Sequence, residues 1–264
     1  MWRLLLLLLF LPASYAEAAT CRDPRGFDAF IADIKQEAAT NEISAEAISV
    51  LDGAAYDPTI VARDHGQHVF RQSFEEFSGR MVNSYRLNKG RTLMKQYAGT
   101  FVRIEETYGV PAPVLVAIWG LETDFGAVQG NTPTLRALAT LAYDCRRSDM
   151  FQAELMDALR LIQRGDLSPG AHGAWAGEVG QTQFMPSKYL TLAVDFTGNG
   201  RRDLIHNVPD ALASTANFLH SYGWKRGADW SPGSPNFAVI KEWNKADVYA
   251  RTIAYFATKL SGGE

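Results

Sequence analysis

Pro111-Ala112-Pro113-Val114-Leu115-Val116-Ala117-Ile118-Trp119-Gly120-Leu121-Glu122-Thr123-Asp124-Phe125-Gly126 is the stretch whose reading decides the fold. Proline is tolerated in the first turn of a helix, where its missing N–H would have no partner, so Pro111 and Pro113 suit a helix start. From Val114 onward no charge appears before Glu122. Leu115, Ile118 and Glu122 fall at i, i+3 and i+7 with Trp119 adjoining, which places an acidic side chain in line with the buried face. A buried carboxylate is costly unless paired or protonated, and desolvation favours the neutral form that a general acid needs near neutral pH. Glu122 is therefore a candidate catalytic acid. The competing reading is a helix-end glutamate that reaches solvent or pairs with an arginine. Gly126 ends the helix and leaves room for a ligand.

The helical period continues on both sides. Phe27 leads a segment in which Phe30, Ile31 and Ile34 recur, and Ser44 reads as the N-cap of a helix holding Ile48 and Leu51. Phe70, Phe74 and Phe77 form an i, i+4, i+7 stripe, and Leu87 to Tyr108 reads as one long amphipathic helix stopped by Gly109-Val110-Pro111. Pro232, Gly233, Ser234 and Pro235 mark a loop, after which Phe237, Val239 and Ile240 suggest a short strand. Tyr249, Ile253, Phe256 and Leu260 share one face of a last helix. With no alternating runs and no internal repeat, the expectation is a mainly α fold with a short β/loop element near the C-terminus. The missing repeat period argues against a solenoid.

At the N-terminus, Met1-Trp2-Arg3 carries one positive charge, Leu4 to Leu11 is apolar, and Ala16-Glu17-Ala18 supplies small residues at cleavage spacing. This is the layout of a secretory signal peptide over residues 1–18, cleaved near 16–19, and the apolar run is shorter than the roughly 20 residues of a spanning helix. The alternative is a retained membrane anchor. Thr20 stands where a lipoprotein signal places Gly or Ala, which argues against acylation of Cys21. Residues 21–260 would form the folded unit, as one domain or two closely packed lobes. A net charge of −3 gives no electrostatic case for nucleic acid. The two cysteines, Cys21 and Cys145, are too few for a zinc site; in an oxidising compartment they would pair, and otherwise they remain free thiols.

Five stretches occur in order: Ala117 to Gly126; Gly173-Ala174-Trp175-Ala176-Gly177-Glu178-Val179-Gly180-Gln181-Thr182-Gln183-Phe184-Met185-Pro186-Ser187; Ala193 to Gly200; Val208 to Leu219; and Trp243-Asn244-Lys245-Ala246-Asp247-Val248-Tyr249. Together they resemble the motifs of the lytic murein transglycosylase B family over nearly the whole of the expected mature chain. The resemblance implies a lysozyme-like helical catalytic domain and cleavage of the β-1,4 bond between N-acetylmuramic acid and N-acetylglucosamine. It also implies one catalytic glutamate, at Glu122, and a 1,6-anhydro product formed when the muramic acid C6 hydroxyl attacks its own C1. Gln183 and Asn244 would bind sugar, with Tyr189 walling the cleft and Tyr249 a further candidate; the plain alternative for each is capping or packing. Two residues depart from the pattern. Ala174 stands where family members often carry a serine expected to orient the catalytic carboxylate. Glu178 stands where a small apolar residue is usual, and reads either as a solvent-facing loop residue or as a second acid able to activate water.

Asp195-x-Thr197-x-Asn199-Gly200-Arg201-x-Asp203 resembles the start of an EF-hand loop, with His206 at the twelfth position in place of the usual glutamate and Asp210 beyond it. A structural calcium or sodium there and a metal-free turn are both open, and the chemistry requires no cofactor. The expected partners are peptidoglycan glycan strands, with no nucleic acid and no membrane span after cleavage; protein partners are not legible. The implied compartment is the periplasm. The rival functions are a muramidase using water and a non-catalytic murein-binding module.

Overall fold

Short polar side chains set several helix starts in the structure, a computed structural model that describes residues 19–66 and 72–263. The expected signal peptide and Phe70 lie outside the described residues. In chain order the helices are α1 (Phe27–Thr40), α2 (Ala45–Ser49), α3 (Pro58–His65), α4 (Phe74–Met81), α5 (Ser84–Gln96), α6 (Ala98–Tyr108), α7 (Ala112–Thr123), α8 (Thr134–Tyr143), α9 (Ser148–Arg164), α10 (Pro186–Leu192), α11 (Val208–Ser221), α12 (Pro235–Trp243) and α13 (Asp247–Leu260). Ser44, Asp57, Ser73, Asn83, Asn207 and Ser234 each accept a first-turn N–H, and Ser73 with Glu76 closes a reciprocal capping box. Two-residue strands β1 (Thr132–Pro133) and β2 (His172–Gly173) pair antiparallel, with Thr132 opposite Gly173.

The mainly α reading holds, with local differences. The segment expected as one helix from Leu87 to Tyr108 bends at Tyr97, which ends α5 and begins α6; its ring packs edge-on against Trp119, and Gly99 lowers the local preference for a straight run. Phe237, Val239 and Ile240 do not form a strand. They lie in α12, because Ser234 caps and Pro235 opens a helix. The small β element lies instead between α7 and α10.

Helix α7 is the axis of the fold. Every residue from Val114 to Leu121 is buried, so it is enclosed on all sides rather than amphipathic, as expected for a helix apolar all round. Helices α5, α6, α11 and α13 pack around it. Gly120 permits the closest approach: a Cβ there would meet the Phe125 ring at 2.8 Å and the Phe256 ring of α13 at 3.0 Å. A second group packs on α8 and α9, with α1 and α3 against α8 and α2 and α10 against α9.

The N-terminal segment is fastened to the α8–α9 turn. Cys21 and Cys145 form a disulfide across 124 positions. Beside it Arg22 pairs with Asp144 at 2.6 Å, and Gln152 donates to the Ala19 carbonyl at 2.8 Å. Closing so long a loop restricts the unfolded chain by up to about 5 kcal/mol in the chain-entropy treatment, with 2–4 typical. Replacing both cysteines with serine is expected to lower the unfolding free energy by about 2–4 kcal/mol, read from urea denaturation at neutral pH.

Candidate active site

Glu122 occupies the last turn of α7, and the backbone that follows turns sharply away. Asp124, Phe125 and Gly126 have successive φ values of 52°, 62° and 83°. The left-handed region costs a non-glycine residue on the order of 1 kcal/mol or more, so the turn must be held from outside. Phe125 is buried edge-on against Trp119, Asp124 pairs with Arg86 at 3.1 Å, and the Gly126 N–H donates to Thr123 Oγ1 at 2.9 Å. Thr123 in turn donates to the Gln181 carbonyl at 2.5 Å, joining the end of α7 to the loop between β2 and α10.

That loop, with α11, α12 and Glu122, encloses a cavity of about 410 Å³. Glu122 is half-buried, with its carboxyl facing the cavity. Its Oε1 accepts the Trp243 indole N–H at 2.9 Å, and the Tyr249 hydroxyl also donates to its carboxyl group. The indole is fixed edge-on by Phe184 and Phe218, at 5.5 and 4.9 Å between ring centroids. Burial pushes the Glu122 carboxyl up to about 7; the two donors pull against that rise, and the nearby charge of Glu178 adds to it. The result is a carboxyl poised between acid and base at neutral pH.

The remaining expected site residues divide. Gln183 lines the cavity in a left-handed conformation, φ 57°, and its Nε2 donates to the Gly180 carbonyl at 2.8 Å. Asn244 lines the opposite wall, with Oδ1 accepting the Ala246 N–H at 3.0 Å ahead of α13. Tyr189 does not wall the cleft. It is fully buried, with its hydroxyl proton shared between the Arg202 carbonyl at 2.5 Å and the Asp166 carbonyl at 3.0 Å and its oxygen accepting the Leu204 N–H, and so serves as a core brace. Tyr249 is also buried and touches Glu122. Ala174 lies in the cavity wall without a hydroxyl to offer. Trp243 and Tyr249 supply the donors instead, a role that the periodicity of α12 did not reveal. Glu178 is not solvent-facing: the residue is half-buried in the cavity wall, its Oε2 is buried, and the N–H groups of Glu178 and Ala176 favour its charged form against the effect of burial.

In the Asp195 loop the Thr197 hydroxyl lies 3.5 Å from Asp195 Oδ1 and 3.2 Å from Asp210 Oδ1, so three of the five candidate ligands come together. Asn199 and Asp203 turn elsewhere, to the N–H groups of Arg201 and of Ile205 and His206. Asp195 already accepts the N–H groups of Gly198, Asn199 and Gly200, and Asp210 those of Phe196, Thr197 and Asp203. Among the described residues, the donor atoms of Asp64, His65 and Asp144 also converge within 4.8 Å, a spacing that could chelate a divalent ion. Both acids there are nevertheless met by cations, Asp64 by Arg146 and Arg147 and Asp144 by Arg22, and the His65 Nε2 already lies 2.7 Å from Asp144 Oδ2. Although burial opposes it, those arginines hold Asp64 below the ordinary carboxylate range. The arrangement fits an ion-pair network better than a metal centre.

Residues 26–233 match the family described as "Transglycosylase SLT domain". Membrane-bound lytic murein transglycosylase B of Escherichia coli is 38% identical over 159 residues, which are 57% of this chain and 44% of that protein, so the match spans less than half of the relative. SltB3 from Pseudomonas aeruginosa, crystallised in complex with NAG-anhNAM-pentapeptide, superposes with a TM-score of 0.86 at 28% identity, covering 90% of this chain and 80% of that one. Escherichia coli Slt35 in complex with calcium has a TM-score of 0.78 at 23% identity, covering 88% and 92%, a likeness of fold alone.

The raised affinity of Glu122 for a proton has a signed cost. Between its ordinary value of 4.5 and about 7 the native state holds a proton that the unfolded chain gives up. Stability therefore falls as pH rises through that window, by about 3 kcal/mol in total. Glu122→Gln, which cannot ionise, is expected to gain roughly that amount over the parent at pH 8 and nothing at pH 4, measured by urea unfolding. Trp243→Phe and Tyr249→Phe each remove a donor to the carboxylate, so the Glu122 titration followed by carbon-13 NMR is expected to move above about 7 in both.

Proposed function

The chain belongs to the transglycosylase SLT domain family, and from that premise we propose that it is a peptidoglycan lytic transglycosylase cleaving the β-1,4 bond between N-acetylmuramic acid and N-acetylglucosamine. The observation that carries the reading is Glu122, a carboxyl raised to about 7 at the wall of a cavity and touched by two donors. In its protonated form Glu122 gives its proton to the leaving oxygen as the C1–O bond breaks. As a carboxylate, steadied by the Trp243 N–H and the Tyr249 hydroxyl, it then takes the proton of the muramic acid C6 hydroxyl as that oxygen bonds to C1. The product carries a 1,6-anhydro end, no water is consumed, and Glu122 returns to its starting state. A single acid suffices because the nucleophile belongs to the substrate. SltB3, 28% identical over the superposed part, was crystallised with NAG-anhNAM-pentapeptide, which supports the same product class.

Gln183 and Asn244 are proposed to hold the sugars on either side of Glu122 through their amide groups. The compartment is proposed to be the periplasm. No helix among the described residues is long and apolar enough to cross a membrane, and Cys21, held in a disulfide, has no free thiol to acylate. A calcium or sodium ion at the Asp195 loop would be held by Asp195, Thr197 and Asp210 and would act on loop stability alone. A pure murein-binding module is disfavoured, because binding has no use for a carboxyl whose burial costs stability.

Digestion of purified peptidoglycan by the parent chain and by Glu122→Gln, followed by mass spectrometry of the released fragments, tests the proposal. Anhydro fragments about 18 Da lighter than reducing-end fragments, lost by at least about 100-fold in the variant, are expected. Equal release by the variant would remove Glu122 from the chemistry, and binding without release would leave a binding module.

A further inference from the structure

We propose that Lys188, with the Tyr222 hydroxyl beside it, forms a subsite of the cavity that binds a carboxylate of the peptide stem on muramic acid. The proposal rests on the glycan-cleaving reading of Glu122 for its choice of substrate. Among the described residues lining that cavity Lys188 is the one cation; the other charged residues there, Glu122, Glu178 and Glu242, are acids. An anionic substituent is therefore drawn to one place on the wall and disfavoured elsewhere.

The ammonium group is placed from both sides. Lys188 stands in the first turn of α10 between two anchored residues. Ser187 donates its N–H and its hydroxyl to Glu154 at 2.8 and 2.6 Å, and Tyr189 is fully buried. The Lys188 Nζ donates to Tyr222 Oη at 2.8 Å, in an exposed contact that a ligand can reach. Tyr222 closes α11, and its ring stacks on Phe218 at 4.5 Å between centroids. Phe218 belongs to the cavity wall and packs edge-on against Trp243, which holds Glu122. Three rings in contact thus join the ammonium to the Glu122 carboxyl and set it apart from the reacting bond.

Neither group is used up within the chain. Glu242 is met by Lys245 at 2.5 Å. Glu154 feels the Lys188 charge, against the larger effect of burial, but gives both oxygens to Ser187. Among the described residues Lys188 forms no ion pair, and the Tyr222 hydroxyl hydrogen meets no acceptor. An ammonium has three donors and a phenol one, so their mutual bond leaves N–H and O–H groups side by side. A carboxylate, with two acceptor oxygens, matches that pair and forms charge-assisted bonds with it. Amide linkage of the stem consumes the lactyl carboxyl of muramic acid, so the free carboxylates lie out along the stem. A subsite three rings away from Glu122 suits such a group better than one borne on the reacting sugar.

The test uses three soluble glycan oligomers: stem-bearing, stem-bearing with the stem carboxylates amidated, and stem-free with the lactyl carboxyl free. Binding is measured by calorimetry in the Glu122→Gln background, so that no ligand is consumed. With Lys188 intact, the stem-bearing oligomer is expected to bind about 10-fold more tightly than the amidated one. Lys188→Gln is expected to erase that difference by weakening the stem-bearing oligomer alone, and Tyr222→Phe to remove part of it. In the active chain Lys188→Gln is expected to raise KM for stem-bearing strands about 10-fold at constant kcat, as for an interaction made equally in ground and transition states. Equal affinity for stem-bearing and amidated oligomers with Lys188 intact, or a Lys188→Gln loss as large on the amidated oligomer, would overturn the proposal. So would an equal loss on the stem-free oligomer, which would assign the ammonium to the lactyl carboxylate. Lys188-dependent binding by a parent that cleaves no strand would instead sink the Glu122 reading and leave the subsite standing.

Discussion

Taking one carboxyl group out of water at the end of an apolar helix is the constraint on which the rest of the site depends. Without donors, burial would keep Glu122 protonated well past neutral pH and unable to act as a base. With a full set of donors, as a carboxylate at a helix N-terminus enjoys, it would ionise too early to act as an acid. Two donors, one indole and one phenol, leave it at about 7. Neither donor is itself a base at that pH, so neither competes for the proton. Their supply explains why α12 and α13 converge on the end of α7 although they lie more than a hundred residues away in sequence.

Holding that geometry needs a helix that stops abruptly. The left-handed pair Asp124 and Phe125 is unfavourable locally and is kept in place by side-chain contacts, to the distant Arg86 for the first and back to Trp119 of α7 for the second. Thr123 turns the same stop into a joint, because its hydroxyl serves both the Gly126 N–H and the Gln181 carbonyl. The cavity wall that carries Gln183 and Glu178 is thereby registered against the carboxyl group, with no contact to Glu122 itself required.

The legible parts of this arrangement are those written in local chemistry. Glu122 stands out because the residues before it are apolar over two helical turns. Ser44 could be read as a cap because the N-cap preference acts within one turn. Phe237, Val239 and Ile240 have the apolar content of a strand, but Ser234-Pro235 is the stronger signal, because the cap and the fixed φ open a helix there. Tyr189 and Tyr249 show a different limit: a motif position does not say which way a ring faces. One braces the loop carbonyls and the other bonds the Glu122 carboxyl, and only packing decides between them. The donor role of Trp243 depends on where α12 ends relative to α7, which no spacing within either segment contains. The solvent-facing reading of Glu178 failed for the same reason, since the turn that buries it is set by Gly173 and by the pairing of Val179 with Phe184.

The two departures from the family pattern fall in one loop, and the division of the cavity explains how the chain accommodates them. A serine at position 174 would add a donor from the loop wall; with Ala174, support for the carboxyl comes from the opposite wall, through Trp243 and Tyr249. The loop is then released from that task; its backbone is held by the Thr123–Gln181 bond and the Val179–Phe184 bridge, and the Gln181 and Gln183 amides tie it to the Ile205 and Gln129 carbonyls. A side chain such as Glu178 can change there without moving Glu122. The energetic coupling that remains is electrostatic: a charge on Glu178 raises the proton affinity of Glu122, so the loop tunes the acid across the cavity while the opposite wall positions it.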